Sequence, residues 1–149
     1  MNFILEKTEQ IDFFTYLPQM LKALNIRCSD YDWYLSDIET NGFDIEEGWW
    51  SGSKLEAYLA ANDVQFIWGV FSAVKIGDRP MVIESPYIYN NASYWSGENI
   101  SPQLEGAVLE IAAWDSSATI FVGLTSVQAA RLQATYSDTK VLGSCKHGS

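Results

Sequence analysis

Positive charge is scarce in this chain. Nine Lys and Arg stand against 19 Asp and Glu in 149 residues, a formal net charge of −10. Such a surface repels phosphate backbones and anionic lipid, which argues against nucleic acid or a membrane as partner. Histidine is scarcer still, with only His147, in the terminal KHGS. A Ser-His-Asp or Cys-His triad would have to use it, in a poor place for a site that needs rigid support. The two cysteines, Cys28 and Cys145, are too far apart in the chain for a disulfide framework and read as free thiols. Neither has a second Cys or His at zinc spacing, so no metal centre is expected. There is no P-loop, no Gly-x-Gly-x-x-Gly and no Gly-x-Ser-x-Gly, hence no expected cofactor and no expected catalytic residue. No apolar run approaches the ~18 residues of a membrane span. The opening MNFILEKTEQ lacks the basic and apolar regions of a signal peptide, so a cytoplasmic location is expected.

What the chain does have is apolar content. Hydrophobic residues make up 48% and aromatic residues 14%, too much for a disordered chain and enough for one core without disulfides or metal. The most strongly specified stretch is 108–124, VLEIAAWDSSATIFVGL. It reads as two strands joined at Asp115-Ser116-Ser117, with both faces covered. Residues 3–5 read as a first strand. A helix over 9–24 is expected to bend at Pro18 and stop at Asn25. A strand over 31–38 should place Trp33, Leu35 and Asp37 on one face and Tyr34, Ser36 and Ile38 on the other.

Asn41-Gly42 signals a hairpin turn. Ser53 and Glu56 fit a capping box for a helix over 53–61. A long strand over 64–76 follows, with Gly69 at a bulge or a close approach. Another strand is expected over 81–84, then an ordered loop over 87–102. Thr125 or Ser126 caps a last helix over 127–136, packing through Val127, Ala130, Leu132 and Ala134. Val141 and Leu142 form an edge strand. The expected architecture is an α+β single domain over 1–142: a mainly antiparallel sheet with about three helices on one face, in two layers. A flexible polar tail would occupy 143–149.

Two stretches are candidates for function. Between Arg27 and Lys54 there is no Lys or Arg, but there are Asp30, Asp32, Asp37, Glu39, Asp44, Glu46 and Glu47, interleaved with Trp33, Trp49 and Trp50. Acids steer a basic protein partner and rigid aromatics anchor it, so these ten residues form the candidate partner-binding surface. The alternative is a small-molecule or carbohydrate pocket lined by Tyr87, Tyr89, Tyr94 and Trp95. Solvated charge and half-buried rings with no partner remain the plainer account of both stretches. Asp37, Glu39, Asn41 and Gly42 match the start of an EF-hand loop, but Gly48 stands where its bidentate acid belongs. Ser51-x-x-Lys54 matches one penicillin-recognising motif without its partners. Paired carboxylates suffice for glycoside hydrolysis, a pattern too common to discriminate.

The YDWYLSDIE stretch after an initial helix, and the ending VLEIAAWDSSATIFVGLTSVQAARLQATYSDTKVL, resemble small acidic bacterial proteins of the immunity type, which neutralise polymorphic or contact-dependent toxins. The ending is also similar to that of an uncharacterised bacterial domain family of comparable length. The likeness is one of layout and spans about half the chain. Immunity families share no catalytic residues, so no site is carried over. Membership would imply a cytoplasmic, non-enzymatic inhibitor that plugs the basic active site of a toxin or effector domain.

Overall fold

A computed structural model describes residues 1–143. Apart from Gly143, the expected tail lies outside the described residues, as do Cys145 and His147. Seven strands form one open sheet: β1 (Phe3–Glu6), β2 (Tyr31–Thr40), β3 (Gly48–Ser51), β4 (Phe66–Lys75), β5 (Leu109–Trp114), β6 (Ala118–Val122) and β7 (Lys140–Val141). Their order is β3-β2-β4-β5-β6-β1-β7, and every pairing is antiparallel. Three helices accompany it: α1 (Leu17–Leu24), α2 (Gly52–Ala61) and α3 (Ser126–Thr135). The α+β single domain expected from the sequence is the fold observed.

The hairpin of β5 and β6 lies inside the sheet, buried along nearly its whole length. Asp115 and Ser116 turn it, both at positive φ. One face of the sheet carries Phe3, Leu5, Trp33, Leu35, Phe71, Ile111 and Phe121. The three helices cover it with Leu17, Met20, Leu24, Leu55, Leu59, Ala129 and Leu132. The other face carries Ile4, Val70, Ala112, Ile120 and Val122. Among the described residues no α-helix covers this face; Ile88 and Tyr94 of the 87–102 loop do, Tyr94 from a short 3-10 turn over Ala92–Trp95.

Several local expectations are corrected. Helix α1 does not start at residue 9. Pro18 opens it rather than bending it, because a first-turn N–H has no helical partner to lose. Asn25 ends it in the left-handed conformation. Ser51, not Ser53, caps α2, accepting from the Lys54 N–H. Glu56 therefore lies too far along to close a capping box and pairs instead with Arg27 at 2.9 Å. Helix α3 has the box, between Thr125 and Gln128. It packs through Ala129 and Leu132, while Val127 and Ala130 face solvent.

The strand expected over 81–84 does not form. Met81 and Ile83 are 87% and 90% exposed on irregular chain. Pro80 and Pro86 flank the segment and cannot donate to a ladder, so β-propensity alone finds no partner there. Asn41-Gly42 does not make a two-residue hairpin either. The Asn41 amide donates to the Gln65 carbonyl and its side-chain oxygen accepts from the Gln65 N–H. The chain then loops through 41–47 before β3 pairs with β2.

Candidate functional site

The site-forming irregularity is a bulge in β2. Ser36 faces Val70 and Glu39 faces Trp68, so β2 spends one residue more than β4 over this interval. The surplus falls at Asp37 and Ile38, opposite Gly69. Asp37 takes a positive φ of 54°. A β-carbon on Gly69 would meet Ile38 Cδ1 at 2.9 Å and Phe71 Cζ at 3.2 Å, so the bulged residue packs directly over this glycine. The extra residue overturns the strict alternation expected from the sequence. Asp37 leaves the face of Trp33 and Leu35 and bonds the 87–102 loop, while Ile38 packs toward the helix-side core. Glu39 comes to lie beside Trp68 on the loop side of the sheet.

Around that bulge the loop is tied down by carboxylates. Asp37 Oδ2 accepts from the N–H groups of Ile88 at 2.9 Å and Tyr89 at 2.8 Å. Glu110, fully buried on β5, accepts from the Tyr94 hydroxyl at 2.8 Å and the Gln103 N–H at 2.7 Å. Burial holds the Glu110 carboxyl above its usual range, against the pull of those two donors. Burial and the neighbouring Glu110 charge push the Tyr94 hydroxyl strongly upward. Above this frame runs a row of rings in edge-to-face contact. Tyr89 meets Trp68 at 5.1 Å, Trp68 meets Trp114 at 6.2 Å, and Trp114 meets Trp95 at 5.2 Å.

The ten candidate partner-binding residues are not one surface. Trp33 is 0% exposed, donates its indole N–H to the Cys28 carbonyl and belongs to the core, which corrects its assignment as an anchor. Asp32 is buried and paired with Arg79 at 3.0 Å, and this hydrogen bond holds its carboxyl below the usual range. Asp37 is committed to the loop. Asp30 stands at the far end of β2, where it accepts from the Arg27 N–H. Glu39, Asp44, Glu46 and Glu47 are exposed. Trp49 and Trp50 flank the sheet edge on opposite faces, Trp49 against Tyr34 and Trp50 against Tyr58. Both rings line an edge groove of about 440 Å³ with Glu46, Glu47, Ser51, Lys54 and Arg79.

The four residues of the alternative pocket do not converge. Tyr94 turns inward and is 1% exposed, Tyr87 and Tyr89 face solvent, and Trp95 packs on Trp114. The start of the EF-hand pattern does not gather oxygens either. Among the described residues no group of three or more His, Cys, Asp or Glu is placed to hold a metal ion. Desolvation pushes the buried Cys28 thiol up to about 12, so it stays protonated and unreactive.

Sequence reasoning missed Trp68, Lys54 and Arg79. The available signals were Gly69 beside Trp68 and Lys54 at the end of the cation-free stretch; Arg79 had none, and only the fold brings it onto the acidic strand. No family model, curated protein or solved structure matches the chain. Among the described residues, no helix is long and apolar enough to cross a membrane.

Proposed function

We infer that this chain is a non-enzymatic protein-binding domain, an immunity-type inhibitor that neutralises a basic toxin or effector domain in the cytoplasm. The observation that carries the reading is the pairing of exposed carboxylates with half-exposed rings. Glu39 stands beside Trp68 and Tyr89, Glu46 and Glu47 line the groove of Trp49 and Trp50, and Asp44 is exposed on the loop between β2 and β3. The net charge of −10 accelerates encounter with a basic partner, and the rings supply contact area at little entropic cost.

Where a neighbouring gene encodes a large secreted protein, the test uses the C-terminal domain of that protein. Co-expression of this chain should restore growth of cells producing that domain. The association rate of the purified pair should fall steeply with added salt. Changing Glu39, Asp44 and Glu46 together to Lys should abolish protection while thermal unfolding stays as in the parent. Growth arrest despite soluble wild-type protein would refute the inhibitor reading. Full protection by the triple variant would refute the surface.

A further inference from the structure

The chain holds two places where a cation, an indole ring and acidic groups meet. Arg79 lies over Trp49, 5.4 Å from the ring centre, and donates to Asp32 at 3.0 Å. Lys54 stands 5.7 Å from the centre of Trp50, in the edge groove that Glu46 and Glu47 also line. In both, the cation is the protein's own.

A third assembly of the same residue types lies at the β2 bulge. Trp68 and Tyr89 meet at an interplanar angle of 78°, giving a corner of two aromatic walls. Glu39 is the cross-strand partner of Trp68. Asp37 fixes the Tyr89 backbone, and with it the second wall. Together with Ile38 these residues line a groove of about 360 Å³. Among the described residues, no lysine or arginine lines it.

We propose that this groove receives the guanidinium group of an arginine from a protein partner. A guanidinium is flat, weakly hydrated and always charged. It can stack on the Trp68 face while its N–H fork meets the Glu39 carboxylate, the combination that Arg79 already makes with Trp49 and Asp32. An anionic ligand is opposed by two carboxylates and the net charge. A neutral ligand would leave Glu39 without a charge partner. The proposal rests on the reading of the protein as a binder of basic partners, and it names the group that such a partner inserts.

The experiment titrates the capped peptide Gly-Arg-Gly, and the same peptide with citrulline for arginine, into the ¹⁵N-labelled full chain. The Trp68 indole N–H and the Glu39 and Tyr89 amides are followed. The arginine peptide should bind saturably in the millimolar range and shift these signals. The citrulline peptide should bind at least roughly tenfold more weakly. Glu39→Gln and Tyr89→Ala, both at exposed side chains, should each weaken arginine binding by a similar factor. Glu98→Gln, elsewhere on the loop, should not.

Equal binding of the two peptides, equal binding by the Glu39 and Tyr89 variants, or unmoved Trp68 signals would each overturn the proposal. If growth protection persists in any of these cases, the inhibitor reading survives without the groove. If arginine binds as expected and protection is absent, the groove stands and the inhibitor reading falls.

Discussion

On the helix side of the sheet, Trp33, Phe71 and Ile111 are sealed by Leu17, Leu24, Leu55 and Leu132, and burial of apolar area holds the layers together. On the loop side, Ile88 and Tyr94 supply a smaller apolar contact, and polar side chains do much of the holding. Asp37 takes two backbone N–H groups of the loop, and Glu110 takes a hydroxyl and an N–H. Asn2 donates to the Ile100 carbonyl at 2.7 Å. A face covered by helices leaves little of its aromatic surface at the solvent boundary. A face covered by a tethered loop leaves gaps, and Trp68 and Tyr89 stand at the edge of one. This contrast puts most of the buried apolar area on one side and the groove proposed for arginine on the other.

The contrast is broken most directly at Trp33. Trp33→Ala removes a fully buried ring and its bond to Cys28, and should cost about 4 kcal/mol in denaturant unfolding. Asp37→Ala should cost about 2 kcal/mol, because two loop N–H groups lose their acceptor. Its signature is local: hydrogen exchange should speed up at Ile88 and Tyr89 and stay slow in β5. If exchange rises equally throughout the sheet, the two faces do not differ in the way described.

Smaller effects separate the helix-side details. Ser51→Ala should destabilise by about 1 kcal/mol through loss of the α2 cap. Ser53→Ala, two residues too late to cap, should change stability by less than about 0.5 kcal/mol.

The contrast is sharpened most by pH dependence, read as the slope of stability rather than its size. Glu110 has a folded pKa raised above its unfolded value, so its contribution is fully present below the ordinary carboxylate range. That contribution is lost as pH rises through the folded value. Asp32 has a lowered folded pKa, so its contribution is present above that range and is lost as pH falls. Glu110→Gln should flatten the alkaline side of the stability curve and Asp32→Asn the acidic side. The same slope in Glu110→Gln as in the parent would show that this tether does not titrate as its burial requires.

The fold class was legible because it depends on period and punctuation. The hairpin at 108–124, the Asn25 stop and the Thr125 cap are each written in a few adjacent residues. The strand expected over 81–84 was misread because propensity says nothing about whether a partner edge is in reach. The candidate surface was half legible. Its acids were visible as a run, but the run concealed that Asp32 would be claimed by Arg79 and Trp33 by the core. Trp68 was invisible as a site residue because its neighbours, Glu39 and Tyr89, come from strands and loops about 20 to 30 positions away in the chain.

The bulge at Asp37 and Ile38 gives this groove an unusual kind of fragility. Were β2 to pair with β4 without the bulge, Ser36 still opposite Val70, Asp37 would fall opposite Gly69 and Glu39 would pass to the face of Trp33 and Leu35, away from Trp68. No side chain of the groove would be altered, yet its charge would be gone. What the groove depends on here is therefore a register of pairing rather than a composition. Substitution at exposed Met81 or Ile83 is cheap by comparison, whereas a one-residue slip of β2 against β4 would take both carboxylates out of the groove at a stroke.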